Sequence, residues 1–299
     1  MIRLAVRVRS EQAELVLAEL LELAPAGVEE CHDGDSGTVE YAIYGPPGEL
    51  PALPELRALA GDTQVEISTS EIADDWHERW KHFHRPVLVS APTQPQGAWP
   101  AVPALRVRPP WEPAGVPSEP PTREIVIDPG QAFGTGGHAS TRLCLQLLLE
   151  LASATPPAGP LLDVGTGSGV LAIAAATLGF QPVLGLDHER ESVQAARENA
   201  AVNGAAIEVR RFDLRGEPLP SLAGADGHGG PPVVLANLLR PLLLALAAGM
   251  HEAPAQLIAG GLLVHEVDEV ADAFAQRVGL RERERRASGE WAAIWLSAD

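Results

Sequence analysis

The stretch Leu161-Leu162-Asp163-Val164-Gly165-Thr166-Gly167-Ser168-Gly169-Val170-Leu171 decides the fold of this 299-residue chain. An apolar run contains an acidic residue near its end, glycine then stands at every second position, and a helix-like apolar sequence follows. Glycine has no Cβ, so its backbone can turn tightly and approach a bound ligand closely. The helix that follows points the positive end of its dipole at that ligand. The pattern predicts a strand, a glycine loop and a helix that together hold an adenosine-containing cofactor.

The glycines alone leave two classes of cofactor open. Gly167, Gly169 and Ala172 also fit the dinucleotide pattern G-x-G-x-x-G/A, which belongs to nicotinamide dehydrogenases. Asp163 favours the other class, because a carboxylate at the strand end repels a pyrophosphate and attracts a cationic, amino-acid-like group. S-adenosylmethionine carries such a group. A dehydrogenase remains the alternative, although it would need a hydride-transfer site that the sequence does not show.

Polar residues also end the three strands that are predicted to follow. They are Asp187 after residues 182–186, Asp213 after residues 207–212, and Asn237 after residues 233–236. Sheets of α/β proteins bind ligands at the carboxyl ends of their strands. We therefore expect Asp187 to accept hydrogen bonds from ribose hydroxyls and Asp213 to meet the adenine amino group. The alternative is that these carboxylates only cap helices or turns.

The composition of the chain excludes some classes of protein and favours one kind of binding partner. A formal net charge of −18 disfavours nucleic acid as the direct substrate, because phosphates would be repelled. The same charge favours a basic partner through long-range attraction. Cys31 and Cys144 are far apart and predict reduced thiols, as in the cytoplasm. We expect neither a signal peptide, because Met1 leads into a predicted strand, nor a membrane-spanning segment.

Periodicity divides the chain into a small domain, a connector and a large domain. Residues 1–70 predict the order β-α-β-β-α-β of a ferredoxin-like α+β module, whose function the fold leaves open. Residues 71–86 predict a connector helix on which Trp76 and Trp80 share one face. Histidines 77, 82 and 84 cluster there, but no cysteine or acid completes a zinc-ligand pattern, so we expect no metal.

Residues 87–299 are predicted to form the large α/β domain, which begins with the Pro-rich segment 91–122. Ten prolines fall between positions 92 and 121. Proline lacks the backbone N–H that helices and central strands need. We therefore expect a long irregular loop with an edge strand over residues 105–108.

A second glycine-rich stretch precedes the cofactor loop, and it resembles a known family. It runs Asp128-Pro129-Gly130-Gln131-Ala132-Phe133-Gly134-Thr135-Gly136-Gly137-His138-Ala139-Ser140-Thr141. The ribosomal protein L11 methyltransferase (PrmA) family has Asp-Pro-Gly-x-Ala-Phe-Gly-Thr-Gly-x-His-x-Thr-Thr, so Ser140 replaces a threonine and keeps its hydroxyl. The connector tryptophans and the runs 199–204 and 236–239 resemble the family too. The resemblance covers residues 71–90 and 123–270 well, whereas residues 1–70 match in layout more than in sequence.

The resemblance implies a Rossmann-like, seven-stranded S-adenosylmethionine-dependent methyltransferase domain behind a ferredoxin-like substrate-recognition domain. It implies ribosomal protein L11 as the substrate, methylated on lysine ε-amines and on the N-terminal α-amine by a monomeric cytoplasmic enzyme. We expect no membrane partner and no direct nucleic-acid partner. The predicted cofactor site joins two residues carried over from the family, Phe133 and Thr135, to Asp163, Gly165, Gly167, Asp187, Asp213 and Asn237.

Asn237 is the predicted amine-positioning residue of this site. A lysine amine has a pKa near 10.4 and must lose a proton before it can attack the methyl group. Desolvation lowers that pKa, whereas a neighbouring carboxylate would stabilise the ammonium. The neutral side-chain oxygen of Asn237 can orient the amine without that effect. His138 is the second candidate: it either helps remove the proton, because its pKa lies near neutrality, or caps the helix that follows.

Other functions stay open on the sequence alone. A methyltransferase of the same fold could act on another protein or on a small-molecule amine. A non-catalytic ribosome-associated binding protein could have kept the cofactor pocket. A nucleic-acid amino-methyltransferase is disfavoured, because Asn237-Leu238-Leu239-Arg240 lacks the Pro-Pro-aromatic run that would stack a flipped base.

Overall fold

The chain forms two compact units, residues 1–83 and residues 84–299, in a computed structural model. The structure describes residues 2–9, 16, 20, 29–33, 38–45, 66–71, 84–90, 102–115, 122–130, 134–154, 157, 159–220 and 231–298. The predicted connector helix over residues 71–86, with Trp76 and Trp80, lies mostly outside these residues.

The first unit is a four-stranded antiparallel sheet with the strand order β2-β3-β1-β4. Its strands are β1 (Ile2–Arg9), β2 (Glu29–Asp33), β3 (Thr38–Gly45) and β4 (Glu66–Glu71). Alternate residues of β1 and β3, such as Leu4 and Tyr41, are buried against Val16 and Leu20, as the period of two along a strand requires. The strand order and antiparallel pairing are those of the predicted ferredoxin-like module.

The Pro-rich segment contributes a central strand, which corrects the expectation of an edge strand within a loop. A three-stranded sheet holds β5 (Val87–Val89), β6 (Ala104–Arg108) and β7 (Thr122–Val126), with β6 in the middle. β6 pairs antiparallel with β5 and parallel with β7. Pro103 and Pro109 flank β6 and no proline lies within it, so all of its N–H groups remain available for pairing.

The second unit is built on a seven-stranded sheet with the order β10-β9-β8-β11-β12-β14-β13. All neighbours are parallel except β14, which runs antiparallel to β12 and β13. This topology confirms the predicted Rossmann-like methyltransferase fold with its terminal antiparallel pair. The strands are β8 (Leu161–Val164), β9 (Val183–Asp187), β10 (Ile207–Arg211), β11 (Val233–Asn237), β12 (Gln256–Leu263), β13 (Arg281–Ser288) and β14 (Trp291–Ser297).

Helices cover both faces of this sheet. Neighbouring strand residues such as Leu161 and Leu162 belong to different hydrophobic clusters, because successive side chains of a strand point to opposite faces. Burial on both faces explains why the central strands are continuously apolar in sequence. The helices are α1 (Ala139–Ala154), α2 (Val170–Leu178), α3 (Arg190–Asn203), α4 (Arg240–Gly249) and α5 (Val267–Val278), with a short 3₁₀ helix over Val264–Glu266.

Cys144 lies fully buried in α1 as a free thiol. Burial raises the pKa of this thiol, and the nearby Asp163 raises it further. The side chain of Cys31 lies outside the described residues. Within the described part of the chain, no helix is long and apolar enough to cross a membrane, and no three His, Cys, Asp or Glu side chains are grouped to hold a metal.

A cluster of charges fixes the loop that follows β6. Glu124 of β7 accepts hydrogen bonds from Arg106 (2.5 Å), Arg108 Nε (2.8 Å) and the backbone N–H of Gly115 (2.6 Å). Arg108 also donates to the carbonyl of Glu112 at 2.8 Å. Burial would raise the pKa of Glu124, but the bonds from Arg108, Gly115 and Arg106 outweigh it and lower this pKa to about 2.

We expect Glu124→Gln to lower the free energy of unfolding by about 1–3 kcal/mol at pH 7, because it removes charge-assisted bonds that are largely shielded from water. The pKa of Glu124 is lower in the folded state than its ordinary value of 4.5, so the stabilisation is complete above that pH. It is lost as the pH falls toward 2. Urea unfolding at pH 7 and pH 3 should therefore show the difference from the parent shrinking at the lower pH.

Glu208→Gln is the matched control for this prediction, since Glu208 pairs with Arg210 on the surface, where both side chains are more than half exposed. Exposed ion pairs contribute little to stability. An equal loss in both variants would contradict the structural role assigned to Glu124.

Candidate functional site

A cavity of about 770 Å³ opens at the carboxyl ends of the parallel strands β8 to β11. This volume suits a ligand of nucleoside size or larger. Of the predicted site residues, Gly165, Gly167, Asp187, Asp213, Asn237 and His138 line the cavity. Thr135 and Asp163 are not among the lining residues, and Phe133 lies outside the described residues.

The glycine loop, residues 165–169, forms one wall of this cavity. Gly165, Gly167 and Gly169 all have positive φ, between +54° and +84°, which glycine adopts without strain. The N–H groups of Gly165 and Thr166 both donate to the carbonyl of Leu186, at 2.8 and 2.9 Å. The end of β9 therefore holds the loop where it leaves β8.

Asp187 and Asp213 place carboxylates on the same cavity. Asp187 accepts bonds from the N–H groups of Gly167 (2.8 Å) and Glu189 (3.0 Å), one on each oxygen. Asp213 accepts one from the N–H of Arg215 at 3.0 Å. A carboxylate has about four lone-pair sites, so both residues can accept further bonds from hydroxyl or amino groups of a ligand.

Asp163 lies beneath the glycine loop and is fully buried. Its Oδ2 accepts bonds from Thr166 Oγ1 (2.7 Å) and from the N–H of Ala172 (3.1 Å), while its Oδ1 has no partner among the described residues. Burial raises the pKa of Asp163 to about 7, although the bonds from Thr166 and Ala172 oppose this shift. Asp163 thus braces the loop, and its contact with a cationic group of the ligand stays a prediction.

Asn237 ends β11 with an oxygen that lacks a donor. Its Nδ2 donates to Thr141 Oγ1 of α1 at 3.3 Å, whereas its buried Oδ1 has no hydrogen-bond partner among the residues that the structure describes. A buried acceptor without a donor costs about 1–3 kcal/mol. Because this oxygen is shielded from solvent, a ligand N–H would satisfy it only after the side chain turns toward the cavity.

His138 immediately precedes α1 and caps its N-terminus. Its Nδ1 accepts a bond from the N–H of Ser140 (3.3 Å) and lies 2.8 Å from Ser140 Oγ, while its carbonyl accepts from the N–H of Arg142 (3.1 Å). This network assigns the ring proton to Nε2 in the neutral form. Burial lowers the pKa of His138, and Arg142 lowers it further. The ring packs edge-on against Trp291, with centroids 4.6 Å apart.

Leu238, Gly261 and Trp291 are among the cavity residues that the sequence did not predict. Gly261 interrupts the register of β12 at a φ of +77°, and a Cβ there would lie 2.6 Å from the carbonyl oxygen of Leu238. The Gly260-Gly261 pair within a strand pattern is a signal for such a bulge. No sequence signal points to Trp291, which reaches the cavity only because β14 pairs with β12.

Comparisons with known proteins agree with this geometry. The sequence model described as "Ribosomal protein L11 methyltransferase (PrmA)" matches residues 52–298. The ribosomal protein L11 methyltransferase of Geobacter metallireducens is 39% identical over 228 residues, which cover 75% of this chain and 67% of that protein. Its counterpart in Geobacter sulfurreducens is 32% identical over 281 residues, 90% of this chain and 83% of that protein.

A solved structure is also similar to this chain in sequence and in fold. The ribosomal protein L11 methylase of Lactobacillus delbrueckii subsp. bulgaricus is 30% identical, covers 70% of this chain and 97% of its own, and superposes with a TM-score of 0.53. These similarities exclude the nicotinamide dehydrogenase that the glycine pattern alone left open.

We expect Gly261→Ala to destabilise the protein and to weaken binding of S-adenosylhomocysteine, because the new Cβ would displace the backbone of Leu238 beside Asn237. Gly279→Ala is the matched control, since Gly279 has a φ of +74° with open space around it. The control should lose about 1 kcal/mol of stability and keep its affinity. Calorimetry and thermal unfolding measure both effects. Equal changes in the two variants would contradict the close approach of β12 to Leu238.

Proposed function

The chain belongs to the ribosomal protein L11 methyltransferase family, and from this premise we propose that it methylates lysine ε-amines and the N-terminal α-amine of ribosomal protein L11. S-adenosylmethionine is the methyl donor of this family. The observation that supports an amine acceptor is the buried Oδ1 of Asn237, which has no donor among the described residues and belongs to a residue that lines the cavity.

The residues of the cavity fit S-adenosylmethionine. Asp187 and Asp213 retain acceptor capacity for ribose hydroxyls and for the adenine amino group. Phe212 and Leu214 flank Asp213 with apolar surface that suits a purine ring. Gly165 and Gly167 offer a backbone without side chains to the methionine part. The bound cofactor supplies an electrophilic methyl group on a sulfonium.

Asn237 would orient the attacking amine. The bond from its Nδ2 to Thr141 leaves its buried oxygen without a donor, and a rotation of the side chain would present that oxygen to a substrate N–H. An amine N–H held by that oxygen leaves the nitrogen lone pair to face the methyl group, and such alignment contributes strongly to the rate. A neutral amide also avoids the stabilisation of the ammonium that a carboxylate would give.

Desolvation would help the lysine to lose its proton. Leu238, Leu242 and Trp291 line the cavity with apolar surface, and burial among such groups disfavours the charged amine. We assign His138 to capping α1 and not to proton removal, because its Nδ1 is bonded to Ser140 and its Nε2 carries the proton in the neutral ring.

The charge of the protein supports a basic protein as the substrate. The net charge of −18 attracts a basic ribosomal protein over long distances. We propose that the ferredoxin-like unit provides the recognition surface, since the residues that line the described cavity all belong to residues 84–299. A ribosomal protein as the substrate would place this activity in the cytoplasm.

We expect Asn237→Ala to lower kcat by about 10²–10³, the usual loss when one positioned hydrogen bond to the reacting group disappears. Thr141→Val should cause a smaller loss of about tenfold by releasing the amide, and Thr141→Ser should retain most of the activity. Mass spectrometry of purified ribosomal protein L11 after incubation with S-adenosylmethionine counts the methyl groups added.

Two outcomes would correct this proposal in different ways. Full activity of Asn237→Ala would show that Asn237 does not position the amine. The parent enzyme could also bind S-adenosylhomocysteine and yet fail to methylate ribosomal protein L11. That result would show that the methyl acceptor is another protein or a small-molecule amine.

Residues 84–299 alone should bind S-adenosylhomocysteine with the affinity of the full chain, because they contain the cavity. They should lose methylation of ribosomal protein L11, since the proposed recognition surface is missing. Calorimetry and the mass-spectrometric assay test the two halves of this prediction. Methylation at the full rate by the truncated protein would show that residues 1–83 do not recognise the substrate.

A further inference from the structure

Two glycine-rich segments that are distant in sequence meet at the cavity. The glycine loop contributes Gly165 and Gly167 to the cavity wall. The second segment, here called the leading turn, comprises residues 128–130 and 134–137 and runs directly into His138, another lining residue. Displacing one segment relative to the other would therefore change the shape of the cavity.

Ser168 makes the first link between these segments. It is fully buried, and its Oγ donates to the carbonyl of Gly134 at 2.6 Å. Gly134 has a φ of +105°, and a Cβ there would lie 3.1 Å from that Oγ. The leading turn thus rests directly on the side chain of Ser168.

Asn199 of α3 makes the second link. Its side chain is buried, with 3% of the residue exposed. Its Nδ2 donates to the carbonyl of Ser168 at 2.9 Å, and its Oδ1 accepts from the N–H of Asp128 at 2.9 Å. One amide therefore bonds the backbone of both segments, and it has no polar contact with the cavity.

The fold brings α3 close enough for this link because the glycine loop lacks a side chain at Gly169. A Cβ at Gly169 would lie 3.1 Å from the Cβ of Ala196, which stands three residues before Asn199 on the same helical face. Asn203 lies on that face too, but it reaches neither glycine-rich segment: its amide pairs with the N–H and the carbonyl of Val126 at 2.8 and 2.7 Å, and its Nδ2 also donates to the carbonyl of Asn199 at 2.7 Å.

We propose that Asn199 is a positioning residue for methyl transfer, which fixes the leading turn against the glycine loop and thereby sets the affinity for the cofactor. The proposal rests on the use of S-adenosylmethionine and not on the identity of the methyl acceptor. A failure to methylate ribosomal protein L11 would therefore leave it intact.

The test compares Asn199→Ala with Asn203→Ala in the full-length protein. Both variants remove amide bonds from α3 to backbone groups in or next to β7, and Asn199→Ala also removes the bond to Ser168, so both should lower the melting temperature. Only Asn199→Ala should raise the Kd for S-adenosylhomocysteine, measured by calorimetry, by about tenfold. It should raise the KM for S-adenosylmethionine to a similar extent and leave kcat within about threefold. Asn203→Ala should keep its Kd within about twofold of the parent.

Ser168→Ala extends the test to the other link. It removes the bond to Gly134 and should also raise the Kd. The double variant with Asn199→Ala should show less than the sum of the two effects, because both bonds hold the same two segments. If Asn199→Ala does not fold, the Kd of Ser168→Ala decides. An unchanged Kd in the folded Asn199 variant, or an equal rise in both asparagine variants, would overturn the proposal.

Discussion

The hydrogen bonds of buried Asp163 are the constraint on which the site depends. Asp163 binds Thr166 Oγ1 and the N–H of Ala172, so it ties the end of β8 to the glycine loop and to the start of α2. Burial raises its pKa to about 7, and a carboxyl group remains in this apolar setting because the two bonds compensate part of its desolvation. Because Asp163 holds the glycine loop from the side opposite the cavity, the loop presents backbone atoms to the cavity.

A series of hydrogen bonds connects the glycine loop to the other segments that border the cavity. The glycine loop binds Asp187 on one side, and on the other it meets Gly134 through Ser168. The leading turn passes into α1, which His138 caps and from which Thr141 reaches Asn237. Elements that are far apart in the chain thus border one cavity, and most of these bonds end on backbone groups. Such bonds fix side chains more tightly than apolar packing alone, because each has one preferred geometry.

Asn237, like Asp163, keeps a buried side-chain oxygen without a hydrogen-bond partner among the described residues. Its Oδ1 is the kind of buried acceptor that folding disfavours and that ligand binding can satisfy. Gly260 and Gly261 make this arrangement possible, since a Cβ at Gly260 would lie 3.2 Å from Oδ1, and one at Gly261 would meet the backbone of Leu238. Two glycines that leave room for Asn237, together with an amide oxygen that has no partner, do not stabilise the fold. They indicate that Asn237 has a functional role.

The sequence by itself determined the fold class, because apolar runs followed by glycine and acidic residues are local patterns that only a few architectures satisfy. It also identified Asp187, Asp213 and Asn237 as strand-end residues, and the structure places all three on one cavity. Only the tertiary structure decided that Asp163 lies beneath the loop, that the Pro-rich segment holds a central strand, and that Trp291 and Asn199 serve the site. Trp291 reaches the site through the pairing of β14 with β12 and through its ring contact with the distant His138. Asn199 reaches it through hydrogen bonds from α3 to the leading turn and to the glycine loop. Such contacts leave no local periodicity in the chain, since they arise only when separate elements pack together.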